Sequence, residues 1–140
     1  MAGSGPARAA HQYHVSPPRY PGPDEGLVYI FRTAAPLGPC PLSIDGKRFL
    51  MLEYGDYSWL YIKAGVHDFS LALPLGAWRK QILNIQPEIR GGQITYLQFR
   101  STLVGAQIDA TFEEIGKRQA IPAMSRNWYR KPDPGWDTAR

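Results

Sequence analysis

A chain of 140 residues, 44% hydrophobic and 20% charged, has the size of one domain and is long enough to bury a proper hydrophobic core. Its 13 Pro and 14 Gly favour short strands joined by turns over a helical fold, and one cysteine, Cys40, rules out an internal disulfide. The net charge of +4 arises from 16 Lys and Arg scattered without a basic block, which argues against nucleic acid, and no run approaches the roughly 18 apolar residues of a membrane-spanning helix.

Residues 1–25 carry Pro6, Pro17, Pro18, Pro21 and Pro23 with little periodicity, so they read as an extended arm, because proline cannot donate to a sheet ladder. The opening Met1-Ala2-Gly3-Ser4-Gly5 lacks the apolar core of a secretory signal and has the look of a leader joined to a truncated mature protein. From Gly26, Leu27-Val28-Tyr29-Ile30-Phe31-Arg32 is β-branched and aromatic, a strand signal, and the prolines at 36, 39 and 41 mark a loop. Asp45-Gly46 between apolar runs signals a type I′ hairpin, whose central residues need positive φ. Tyr57 to Ala64 reads as a strand with Tyr57, Trp59 and Tyr61 on one face and Leu60 and Ile62 on the other, and Val66 to Leu73 as an alternating strand after Gly65. Further strands begin near Ile82, Gln93 and Ala106, giving seven or eight. Regular spacing and half-polar faces then point to an all-β fold, an antiparallel two-sheet β-sandwich of Ig-like or transthyretin-like type over residues 26–123. One helical turn is expected between Glu113 and Ala123, ahead of Pro122, and residues 124–140 form a second, aromatic and basic arm.

The Leu27 to Arg32 strand, the Leu42-Ser43-Ile44-Asp45-Gly46-Lys47 hairpin, Gly55-Asp56-Tyr57, and Lys63-Ala64-Gly65-Val66-His67 ahead of Phe69-Ser70-Leu71 together resemble a family of small bacterial lipoproteins of unknown function. That family's pattern is a VYIYR strand, a DGK hairpin, a GxY turn and a PGxH strand. The hairpin and the Ala64-Gly65-Val66-His67 portion are also similar to PEGA domains, small β-sandwich modules of cell envelopes. The resemblance spans roughly Gly26 to Phe112 and implies a sandwich, an envelope setting and no known activity. It transfers no catalytic residue. Cys40 has no apolar run before it, so it is a poor lipidation site.

No residue constellation points to catalysis. His67 follows a glycine turn, where a ring nitrogen can bond a nearby carbonyl and fix the loop; it could join His11 and His14 at a metal only if the arm folded back. Asp45 and Asp56 occupy turns, Glu113 and Glu114 are adjacent at a strand end, and Gly91-Gly92 has neither the Lys-Ser or Lys-Thr nor the helix of a phosphate cradle. Cys40 has no partner in sequence that would lower its pKa, so it reads as a structural thiol. The Tyr57, Trp59, Tyr61 stripe is a contact surface in either of two ways, exposed to a ligand or covered by an arm or the Trp78 loop.

The expected function is therefore a non-catalytic structural or accessory subunit of a larger protein assembly, with no cofactor and no metal, in the bacterial periplasm or cell envelope, cytoplasm being the alternative. Its partners would be other protein subunits, a second copy of the chain included. The partner-binding candidates are Tyr13, Tyr20, Tyr57, Trp59, Tyr61, Arg126, Trp128, Tyr129, Arg130 and Trp136, because rings are rare in disordered tails and Trp and Arg dominate interface energy. At least one arm is expected to cross to a neighbouring subunit, leaving the domain foldable without residues 124–140. The competing function is a glycan- or peptidoglycan-binding module that stacks sugar on the aromatic strand face.

Overall fold

The structure is a computed structural model in which residues 15–34, 36–74 and 80–136 are described. Among the described residues it is all-β apart from one short helix. In chain order the elements are β1 (Glu25–Ala34), β2 (Cys40–Ile44), β3 (Lys47–Leu52), β4 (Asp56–Lys63), β5 (Gly65–Val66), β6 (Phe69–Pro74), β7 (Lys80–Ile85), β8 (Glu88–Ile89), β9 (Ile94–Val104), β10 (Gln107–Ile115), α1 (Lys117–Met124) and β11 (Trp128–Tyr129). A five-stranded sheet runs in the order β10-β9-β1-β4-β11, a four-stranded sheet in the order β3-β2-β6-β7, and β5 pairs with β8.

The sheets are not all antiparallel, which corrects the expected topology. β1 pairs antiparallel with β4 but parallel with β9, and β11 lies parallel to β4. The reason lies in β1 itself, whose Leu27, Val28, Ile30 and Phe31 are buried on both faces, the pattern of a central strand covered on each side. One face of the five-stranded sheet contributes Val28, Ile30, Leu60, Leu97, Phe99 and Phe112 to a hydrophobic cluster that also takes Leu42, Ile44, Phe49, Leu50, Leu52, Phe69, Leu71 and Leu73 from the four-stranded sheet. Each such side chain contributes about 1.5–3 kcal/mol when fully buried, so this shared core is the main source of stability.

The Asp45-Gly46 turn closes the β2–β3 hairpin with φ of 51° and 82°, and Ile44 faces Lys47 across it. Further along the same pair, Leu42 faces Leu50 while Ser43 faces Arg48, so Phe49 is an extra, unopposed residue. This β-bulge lets the consecutive residues Phe49 and Leu50 both be buried.

Three local expectations change. The strand read from Val66 to Leu73 splits into β5 and β6, because the backbone at Asp68 turns to the hairpin: Asp68 N–H donates to Asp45 Oδ1 and Asp45 N–H to the Asp68 carbonyl, each at 2.8 Å. β10 continues to Ile115, and the expected single turn before Pro122 is an eight-residue helix that contains Pro122. A proline inside a helix costs about 3 kcal/mol, which burial of Ala120 and Met124 against the five-stranded sheet offsets. Finally, within the stretch expected as an extended arm, residues 124–136 complete α1 and supply the edge strand β11. Among the described residues no helix is long and apolar enough to cross a membrane.

Candidate functional site

The outer face of the five-stranded sheet is aromatic, and strand alternation explains why. On β1, Tyr29 and Phe31 point away from the side that carries Val28 and Ile30; on β4, Tyr57, Trp59 and Tyr61 alternate with Ser58, Leu60 and Ile62. The register sets Tyr29 opposite Trp59 on one side and Tyr96 on the other, and Phe31 opposite Tyr57. Tyr29 and Tyr96 stack with centroids 5.3 Å apart, while Trp59 stands edge-on to Tyr61 at 5.8 Å. Tyr129 on β11 adds an edge contact to Tyr57 at 5.7 Å. Burial pushes the hydroxyls of Tyr57, Tyr96 and Tyr129 above their ordinary range and that of Tyr29 up to about 12, so these groups stay neutral donors.

Two elements lie on this face. At the β1 and β9 side, α1 packs with Ala120 and Met124. Along β4 runs the N-terminal segment 15–19, and β4 holds it by its main chain. The Tyr57 hydroxyl accepts from Val15 N–H at 2.8 Å, and Trp59 Nε1–H donates to the Val15 carbonyl at 2.8 Å. Four residues along both chains, the Tyr61 hydroxyl accepts from Arg19 N–H at 3.2 Å and donates to the Arg19 carbonyl at 2.5 Å. The Arg19 guanidinium sits 4.0 Å from the centre of the Tyr61 ring and pairs with Glu25. That pairing, with a further hydrogen bond from Gly22 N–H, lowers the Glu25 carboxyl below its ordinary range. Between segment and helix remains a cavity of about 320 Å³ lined by Val15, Ser16, Tyr29, Tyr57, Ile121, Met124 and Ser125.

Apart from Tyr129, the C-terminal segment is engaged along the edge of the sheet. Asn127 is buried and donates both amide hydrogens, to the carbonyls of Arg32 at 3.0 Å and Asp56 at 2.8 Å. Arg130 pairs with Asp56 and, at 3.1 Å, with Glu53. Burial raises the Asp56 carboxyl above the usual range, opposed by the Glu53 N–H and by Arg130. Trp128 and Tyr129 form β11; beyond them Asp133 N–H donates to the Phe49 carbonyl at 2.8 Å, and Trp136 meets the Phe49 ring edge-on at 5.0 Å. Residues 127–136 thus strap the edge of the five-stranded sheet to the bulge of the four-stranded one.

Of the ten candidate partner-binding residues, the structure gathers Tyr57, Trp59, Tyr61 and Tyr129 on one face and puts Trp128, Arg130 and Trp136 along the strap. Arg126 is exposed beyond α1, and Tyr20 is 84% exposed. Tyr13, His11, His14 and Trp78 lie outside the described residues. Tyr29, Tyr96 and Asn127 were not singled out from sequence; alternation with Val28, Ile30 and Leu97 would have exposed the two tyrosines, whereas nothing local marks Asn127. His67 does bond a carbonyl, that of Lys63, at 2.6 Å, and its other nitrogen meets Asp45 at 2.6 Å, so it ties the hairpin turn to the end of β4. Comparison with protein-family models, curated proteins and solved structures finds no match for this chain.

Proposed function

We propose that the chain is a non-catalytic interaction module, a two-sheet β-sandwich that serves as a subunit of a larger protein assembly and binds extended protein segments on its aromatic sheet face. The observation that carries this reading is the grip of Tyr57, Trp59 and Tyr61 on main-chain atoms of Val15 and Arg19. Polar tips on apolar rings, aimed at backbone rather than at side chains, are suited to a peptide and make little use of its sequence. A bacterial cell-envelope setting belongs to the same proposal and rests on the sequence resemblance alone.

The glycan alternative needs an open ring face for stacking, and on Tyr61 that face is taken by Arg19. Affinity purification of the full chain from its native source, in parallel with Trp59→Ala, tests the interaction reading. A partner held by the native chain and lost by the variant is expected; a partner set indifferent to Trp59, or binding to a glycan array with no protein retained, overturns it.

A further inference from the structure

The interaction reading leaves open which segments the aromatic face accepts, and the segment already docked there answers by its chemistry. Between the two clamped residues, Val15 and Arg19, lie Ser16, Pro17 and Pro18. Tyr57 and Tyr61 are four residues apart on a strand, roughly 13 Å at about 3.3 Å per residue. A proline-rich chain rises about 3.1 Å per residue, so four residues cover roughly 12 Å, and the two backbones keep step. The match extends to hydrogen bonding. The rings grip the N–H and carbonyl groups of Val15 and Arg19 only, and of the three residues in between two are prolines, which have no N–H to leave unsatisfied. An ordinary peptide in the same place would present donors that only water receives, and it would lose more chain entropy on being held extended than the two prolines do.

The hold is also loose enough to exchange. Within 15–20 only Pro17 is even partly buried, Val15 being 38% and Tyr20 84% exposed. The clamps at Trp59 and Tyr61 are exposed hydrogen bonds and the one at Tyr57 is part-buried, each worth about 0.5–1.5 kcal/mol net. Arg19 supplies the one side-chain feature read, through its contact with the Tyr61 ring and its pairing with Glu25.

Resting on the interaction reading above, we propose that the β4 ladder of Tyr57, Trp59 and Tyr61 is a receptor for proline-rich segments of the form Pro-Pro-basic, and that residues 15–19 occupy it in cis as an exchangeable competitor. The partner class is an extended Pro-Pro-Arg segment of another chain, and binding is regulated by displacement of the module's own arm.

The test uses the full chain, ¹⁵N-labelled, with the Trp59 indole signal assigned through Trp59→Phe. The probe is a synthetic peptide with the sequence of residues 15–23. A second full-length protein carries Pro17→Gly and Pro18→Gly, which raise the entropy cost of docking the arm without touching the ladder. The peptide is expected to shift the Trp59 indole signal and to bind the arm variant at least about threefold more tightly than the native chain. Adding Tyr61→Phe to the arm variant should weaken the peptide at least about fivefold, the loss of both hydrogen bonds of that hydroxyl. A peptide with both prolines replaced by Ala should bind at least about threefold more weakly. If that alanine peptide binds equally well and shifts the same signal, the face reads extended chains without preference for proline: the interaction reading stands and this one falls. Equal affinity for native chain and arm variant overturns the cis competition. No binding of either peptide to either protein overturns both readings together.

Discussion

At Gly46 the backbone has φ of +82°, and an added Cβ would meet nothing within 4 Å, so any cost of substitution there is conformational rather than steric. Gly46→Val is therefore expected to destabilise the domain by more than about 1 kcal/mol in urea or thermal unfolding, and an unchanged midpoint would remove the turn from the argument for the hairpin. This requirement was legible in sequence because a type I′ turn is satisfied by two adjacent residues. Gly91 shows the opposite case. Its Cβ would fall 1.9 Å from the Pro23 carbonyl oxygen, a contact between segments far apart in sequence, and the sequence alone offered only a turn. Gly91→Ala should thus cost at least about 1–3 kcal/mol, through displaced backbone, where Ala is normally harmless. Asp68 carries a pH dependence. Its carboxylate accepts from Asn84, Gln86 and Ser70, and these donors hold its carboxyl below the ordinary range. A carboxyl lowered by folding adds stability above its unfolded value of about 3.9 and loses it as pH falls through the folded value. Asp68→Asn should then be less stable than the native chain at pH 7, with the gap closing well below pH 4; a gap that is the same at pH 7 and pH 3 would refute the assignment.

Among the elements, β4 was the most readable, since period-2 alternation alone separates Tyr57, Trp59 and Tyr61 from Leu60 and Ile62. What covers the stripe was not readable, because docking of segment 15–19 depends on hydrogen bonds reaching 42 residues or more along the chain. β11 escaped for another reason: two residues show no period, and Trp128 and Tyr129 become a strand only through the exposed edge of β4. The strap they begin is fixed by Arg130 over Asp56, and removing the guanidinium leaves a buried carboxylate without its cation. Arg130→Met is expected to cost about 1–3 kcal/mol and to raise the Asp56 carboxyl further. The sign follows from burial: a raised carboxyl contributes most to stability below its unfolded value and progressively less as pH rises through its folded one. The penalty of Arg130→Met should accordingly be largest near neutrality, where the buried carboxylate is ionised and needs its cation, and shrink in acid as the carboxyl takes up its proton. Urea unfolding at pH 7 and pH 4, with a carboxyl titration of Asp56 by NMR, decides it.

For the whole molecule, the all-β class was evident from proline, glycine and alternation, yet the parallel pairing of β1 with β9 was not. Leu27 meets Ile94 across that ladder, and no local pattern distinguishes a parallel neighbour from an antiparallel one. The same non-locality inverts the expectation for the C-terminal segment. Read from composition, residues 124–140 were an arm whose loss would spare the domain; in the structure this stretch contributes Met124 to the cluster under α1, the doubly bonded Asn127, the edge strand β11 and the Trp136 contact on Phe49. Losing the Asn127 amide alone takes a donor from two buried carbonyls, that of Arg32 keeping only the Gly55 N–H at 3.3 Å, about 1–3 kcal/mol, and the Trp136–Phe49 pair adds about 0.5–1.5 kcal/mol beyond its buried area. Together with Met124 and Arg130 these amount to a large share of the roughly 5–15 kcal/mol by which a domain is stable. A chain ending at Ala123 should therefore melt more than about 10 °C below the full chain, or fail to fold cooperatively, as scored by calorimetry. Asn127→Leu in the full chain separates the strap's own contribution from the mere loss of residues, and should itself lower the midpoint by several degrees. If both proteins melt with the full chain, the strap is dispensable to its own domain, and Trp128, Arg130 and Trp136 revert to what their composition first suggested, anchors for another subunit.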